Sequence, residues 1–197
     1  MHYTVHRFSH HYLYFCRMLQ SLDDPFRICV IGPESTGKSA LSESLARHLN
    51  TVWIPEFARE YIGNLNRPYE QHDLLEIARG QVNLEHQLIP GAGETVIMDT
   101  NLLVIKVWSE HRYGSVSPEI LDLHHSRRYD LYLLTDIDLP WAEDPQREHP
   151  HLRQHFMSVY RQLMASTGIP FRIISGTGGQ RTQSAIDAIT PFIHRAE

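Results

Sequence analysis

The chain has 197 residues, 42% of them apolar, and its 18 Lys and Arg against 23 Asp and Glu leave a formal net charge of −5. That length suits one globular domain with a full core, while the negative balance argues against a protein whose main task is gripping nucleic-acid phosphates. Two cysteines, Cys16 and Cys29, exclude a disulfide framework and point to a reducing cytoplasm, and no apolar run approaches the roughly 20 residues of a bilayer crossing.

Residues 1–22 carry four His, five Tyr or Phe and two Arg but no acid, and they read as an appendage. The spacing of Phe8, Tyr12 and Phe15 suggests an added helix. A tail without structure, or translation begun upstream of the true start with Met18 as an alternative, fits equally. Histidines and Arg17 break every apolar run, unlike a signal peptide. The expected division is therefore an N-terminal extension over 1–24 and a domain over 25–197.

From Pro25 onward short β-branched runs alternate with longer helical stretches, the pattern of an α/β fold. Strands are predicted at Phe26–Ile31, Thr51–Ile54, Thr95–Asp99, Asp130–Thr135 and Phe171–Ile174, each mostly apolar with little alternation, as in parallel strands covered on both faces. Helices are predicted at Lys38–Leu49, Tyr69–Leu88, Asn101–Tyr113, Pro118–Ser126, Arg153–Thr167 and Gln180–His194. Pro and charge cluster at Leu139–Pro150, where a mobile loop is expected.

Gly32-Pro33-Glu34-Ser35-Thr36-Gly37-Lys38-Ser39 matches G-x-x-x-x-G-K-[ST] in full, directly after an apolar strand and before a helix. A phosphate chain needs many donors converging on a small volume, and inward-facing backbone N–H groups at a helix N-terminus supply them. The loop from Gly32 to Ala40 is thus the expected ATP cradle, with Lys38 reaching the β and γ phosphates and the Ser39 hydroxyl on Mg²⁺. A second acidic group should end the neighbouring strand, and Asp99 does so. Thr100 and Asn101 then cap the helix that follows; the alternative reading of Asp99 is as a capping residue only, a role compatible with holding metal.

No N-K-x-D or D-x-x-G element accompanies the loop, so a signalling GTPase is disfavoured and a small-molecule kinase remains. Pro55-Glu56-Phe57-Ala58-Arg59-Glu60-Tyr61 follows the second strand, and on a helix Glu56 and Glu60 share a face with Arg59 one turn from Glu56. A kinase acting on an alcohol needs a carboxylate to orient the hydroxyl and take its proton. Glu56 is the first candidate and Asp99 the second. In the expected lid, Arg147 and Arg153 are placed to close on the transferring phosphate, while Trp141 and Asp144 suit substrate contacts. Three glycines before Arg181 allow close approach to a flat base, so this segment is either an adenine-side contact or a flexible turn. His149, His151 and His155 lack Cys or clustered carboxylates at ligand spacing and read as lid-surface histidines rather than a zinc site.

GPESTGKS, PEFAREY, the ARGQ of Ala78–Gln81 with Glu85, MDTNLLVIKVW and DLYLLTDIDLPWAEDPQR, in this order, resemble the ribosylnicotinamide kinase domain of the bacterial NadR-type NAD-biosynthesis regulators, over residues 26–195. The resemblance implies a P-loop α/β kinase that uses ATP and Mg²⁺ to phosphorylate the 5′-hydroxyl of nicotinamide riboside. It places Lys38 and Ser39 on ATP and Mg²⁺, Asp99 on the metal, Glu56, Arg59 and Asn101 on the riboside side, and Trp141, Asp144 and Arg147 in the lid. Asn101 stands where the family commonly has Asp, and Pro145 where it has Gly. Neither an H-x-G-H adenylyltransferase signature nor room for a helix-turn-helix ahead of the first strand is found, so adenylyl transfer and operator binding are not expected. A kinase for another nucleoside or small alcohol, and a nucleotide-binding regulator without efficient transfer, are the alternatives.

Overall fold

The computed structural model describes residues 24–193. The expectations for residues 1–22, Cys16 among them, and for His194 lie outside the described residues. Strands β1 (Phe26–Ile31), β2 (Val52–Ile54), β3 (Thr95–Asp99), β4 (Leu131–Thr135) and β5 (Phe171–Ile174) form one sheet in the order β2-β3-β1-β4-β5. Every pairing in it is parallel. Around it lie α1 (Lys38–His48), α2 (Phe57–Gly63), α3 (Gln71–Leu88), α4 (Leu102–Tyr113), α5 (Pro118–His125), α6 (Arg153–Thr167) and α7 (Gly178–Ile193). All predicted strands and helices are present with small shifts at their ends. Helix α2 is the addition: at seven residues it is shorter than the window in which a helical period is readable.

Successive strand residues point to opposite faces, and both faces are apolar because both are covered. Ile28, Val30, Ile97, Leu131 and Leu133 pack against Leu41 and Leu45 of α1 and Ala185 and Ile189 of α7. On the other face Cys29, Ile31, Met98 and Leu134 meet Leu103 and Val107 of α4 and Phe156 and Tyr160 of α6. Burying each Ile or Leu contributes roughly 1.5–3 kcal/mol. A third cluster joins α2, α3, α4 and α5 through Ala58, Leu74, Ile77, Leu102 and Ile120.

The architecture is the expected phosphate-loop α/β fold. From β1 the chain passes to β2 beyond β3, whereas from β3 it crosses β1 to reach β4, so the connections part around the β1/β3 pair. Such a switch point opens a crevice at the carboxyl ends of the strands. Among the described residues no helix is long and apolar enough to cross a membrane.

The α2/α3 corner is tied by one buried carboxylate. Asp73 accepts from Arg67 at 2.7 and 2.9 Å, from Tyr61 Oη at 2.9 Å and from the Glu70 N–H at 2.7 Å. Arg67 foremost holds its pKa well below the ordinary value.

Glu85 of α3 is the opposite case: it is fully buried and neither carboxylate oxygen has a hydrogen-bond partner. Burial pushes its pKa up to about 7 against the pull of Arg127, 3.9 Å away. A raised folded-state pKa means stability that is complete below the unfolded value of 4.5 and lost as pH rises through 7. Glu85→Gln should therefore flatten the stability profile between pH 5 and 8, removing a loss of about 3 kcal/mol. Urea melts of both proteins across that range measure it; a parallel decline in the variant would contradict the assignment.

Candidate active site

The phosphate loop leaves β1 in a backbone that side chains rarely allow. Gly32 has φ 147°, Ser35 56° and Gly37 76°. A Cβ on Gly32 would stand 2.4 Å from Thr135 Oγ1, so the close approach of loop and β4 requires glycine there. Thr36 Oγ1 and Thr135 Oγ1 lie 2.7 Å apart, one donating to the other, and the remaining hydroxyl proton goes to the Pro33 carbonyl (from Thr36) or to Ile31 O (from Thr135). These buried bonds fix the loop at the N-terminus of α1. Lys38 Nζ donates to Pro33 O at 3.0 Å.

Asp99 ends β3, next to β1, and is 1% exposed. Its Oδ1 is buried without a partner. Burial raises its pKa, while the Ser39 hydroxyl and then Lys38 pull it down. A hard oxygen donor left unpaired beside a second oxygen donor is a donor set that suits Mg²⁺ or its waters, so Ser39 and Asp99 fit the metal that the loop motif implies. Thr100, at φ 69°, bonds back to Val30 O at 2.9 Å and holds Asp99 in place.

Glu56 is the N-cap residue of α2, yet its carboxylate caps nothing. It faces a cavity of about 420 Å³ shared with the whole loop from Gly32 to Ala40 and with Arg59, Asp144 and Arg147. Burial raises the Glu56 pKa, Lys38 opposes this and Asp99 adds to it. Arg59 Nε is 3.9 Å from Glu56, and its Nη1 donates to Asp144 at 2.9 Å. The Gln146 N–H, with Arg59 beside it, holds the Asp144 carboxyl below its ordinary value. A carboxylate, a guanidinium and the loop from Gly32 to Ala40 thus open on one space.

The loop between β4 and α6 closes over this cavity and is fastened to the phosphate loop. Glu34 accepts from the N–H of Glu148 (3.2 Å) and of His149 (2.9 Å). Ser35 Oγ accepts from the Ala142 N–H at 2.8 Å. Two of the variable positions of the phosphate-loop motif therefore hold the lid. Arg147 lines the cavity, with its guanidinium donating to Ala142 O.

Four expected site residues are engaged elsewhere. Asn101, 1% exposed, accepts the Leu103 N–H as the cap of α4 and donates to Tyr132 Oη, so it does not reach the cavity. Trp141 Nε1 donates to Glu143, away from the cavity lining. Arg153 is held at the root of the lid by the carbonyls of Ser35 and Leu139. Arg181, 4% exposed, spends its guanidinium on Asp138, Gly176 O, Thr36 O and Asp136 O, and so braces the phosphate loop from behind.

The cavity wall also holds residues outside the expected set: Ala58, Val104, Trp108, Gln146, Phe156 and Tyr160. Val104 and Trp108, like Phe156 and Tyr160, are four apart on one helix, a spacing visible in the sequence but indistinguishable there from core. A second cavity of about 250 Å³ shares Glu34, Trp108 and Gln146 with the first and continues to Tyr69 and Arg112. His149 and His155 gather with His111 around the Phe156 ring.

A family model described as AAA domain, AAA_28, matches residues 27–181. The trifunctional NAD biosynthesis/regulator protein NadR of Escherichia coli K12 is 25% identical over 150 residues, 73% of this chain and 37% of that protein. The Salmonella typhimurium protein gives the same figures. The chain thus spans little more than a third of the length of these curated relatives. A NadR structure with NAD and AMP-PNP superposes at TM-score 0.73, and one with NR at 0.76, each 21% identical and covering 93% of this chain and 58% and 59% of theirs. Thymidylate kinase from Ehrlichia chaffeensis follows at 0.60 and 15% identity, with 85% of this chain and 98% of that one covered.

If Glu34 fastens the lid, Glu34→Gln should speed amide exchange at Glu148 and His149 about tenfold, the loss of roughly 1.4 kcal/mol in a charge-assisted bond. Exchange within α6 should not change. Hydrogen-exchange mass spectrometry reads both, and unaltered lid exchange would count against the fastening.

Proposed function

The chain belongs to the AAA domain family AAA_28, and from that premise we propose that residues 25–197 form an ATP-dependent nucleoside kinase acting on the 5′-hydroxyl of nicotinamide riboside. The observation that carries this reading is the uncapped Glu56 carboxylate, opening with Lys38, Arg59 and Arg147 on one cavity beside the phosphate loop. The likeness to NadR, including a structure titled as a complex with NR, supports the acceptor.

The loop amides and Lys38 bind the triphosphate, Lys38 leaving the Pro33 carbonyl to do so. Glu56 orients the acceptor hydroxyl and takes its proton as the new O–P bond forms and the bond from the γ-phosphorus to the bridging oxygen breaks, giving ADP and the nucleotide. Arg147, at the cavity wall, neutralises charge on the transferring group. Ser39 and Asp99 would hold Mg²⁺, which supplies charge neutralisation at the phosphates. Closure of the lid keeps water from competing as acceptor.

Asn101 is committed to Tyr132 and the α4 cap. It offers the riboside no contact, which favours a second reading in which another nucleoside is the acceptor.

Purified protein with ATP, Mg²⁺ and a panel of nucleosides should yield nicotinamide mononucleotide. Turnover of a different nucleoside alone establishes the second reading, and no transfer to any of them overturns both. Glu56→Gln should lower kcat by about 10² to 10⁴ while nucleotide binding persists. Because the Glu56 pKa is raised, the acid limb of kcat/KM should lie above the ordinary carboxylate value, with activity rising as Glu56 ionises; a limb at or below that value would exclude Glu56 as base.

A further inference from the structure

We infer that Gln81 is a positioning residue that sets where the Glu56 carboxylate stands, an inference that rests on the role given to Glu56 above. Gln81 lies on α3 and is 2% exposed, outside the cavity. Its Oε1 accepts the Phe57 N–H at 2.9 Å, and its Nε2 donates to Pro55 O at 3.4 Å. One side-chain amide therefore spans the two peptide groups that flank Glu56.

The first N–H groups of a helix lack intrahelical partners, and a short N-cap side chain ordinarily turns back to that of the second or third residue. Glu56 makes no such bond. The N–H of the first residue, Phe57, lies outside an N-cap side chain's usual reach, and Gln81 satisfies it from a neighbouring helix while the Glu56 carboxylate faces the cavity. Its orientation is then set by a fixed backbone, at φ −71° and ψ 108°.

The residue before Gln81 completes the clamp. A Cβ on Gly80 would stand 2.0 Å from Phe57 Cε1. Only a glycine lets the Phe57 ring lie on the α3 backbone, which brings the Phe57 N–H within reach of Gln81. The Gly80-Gln81 pair thus holds the strand-to-helix corner that carries Glu56.

Gln81→Leu removes both bonds at similar volume, and Gly80→Ala displaces Phe57 while keeping the amide. Each should lower kcat about 10- to 100-fold, as a displaced catalytic group does, with KM for ATP held within about twofold. Gln81→Glu, which keeps an acceptor for Phe57, should recover part of the loss. Crystals of Gln81→Leu should show the Glu56 carboxylate displaced. Wild-type turnover with Glu56 in place overturns the inference, as does a loss matched in KM for ATP that Gln81→Glu does not relieve. Glu56→Gln runs alongside: if it keeps full turnover, or if the wild type phosphorylates no nucleoside, the reading of Glu56 fails and the crystals alone decide the clamp.

Discussion

The whole site depends on holding the phosphate loop in a backbone it would not keep by itself. Positive φ at Gly32, Ser35 and Gly37 turns the amides inward, and strained conformations persist only where the surroundings over-determine them. Those surroundings come from distant parts of the chain. Thr135 at the end of β4 binds the loop through Thr36, and Arg181 of α7 reaches the Thr36 carbonyl from behind. The adjacency of β1 and β4, and the return of the chain through β5 to α7, place these braces. The lid then inherits its position from the same loop through Glu34 and Ser35.

Charge shapes this pocket as well. Lys38 pulls down on both Glu56 and Asp99, and the Asp99 carboxylate is buried with one oxygen unpaired. Burying a carboxylate without a full set of partners is unfavourable, so its pKa rises. On the proposed reading a cation would satisfy Asp99 and a polyphosphate would draw Lys38 away from Pro33, the two together completing a site that neither completes alone.

The sheet was legible because parallel strands covered on both faces read as unbroken apolar runs, and the phosphate loop because its glycines and Lys38 have no other economical use at a strand-to-helix turn. Asp99 was legible from its place at the end of β3. What escaped was decided by contacts between segments far apart in the chain. Asn101 reads correctly as the cap of α4, but the substrate contact implied by the resemblance fails because Tyr132, thirty-one residues on, takes its amide. Arg153 and Arg181 read as phosphate and adenine contacts, but carbonyls of the lid and loop claim them. Helix α2 is too short to show a period, and the wall formed by Trp108, Phe156 and Tyr160 has the spacing of ordinary core.

The two sides of the cavity are built from different material, with a consequence for specificity. On the proposed reading the donor side is the loop that leaves β1, braced by the ends of β3 and β4, so a change there disturbs the sheet that forms the core. The acceptor side is then Ala58 and Arg59 of α2, Val104 and Trp108 of α4, the lid and α6, and α2 and α4 share with α3 and α5 an apolar cluster and, at the α2/α3 corner, the anchor Asp73. Side chains on that face can change without loosening the phosphate loop. A chain of this fold can therefore keep one phosphoryl donor while its acceptor varies, provided that the corner carrying Glu56 stays fixed. Gln81 lies on one of these helices, and on the inference above its two bonds to Pro55 and Phe57 keep that corner fixed.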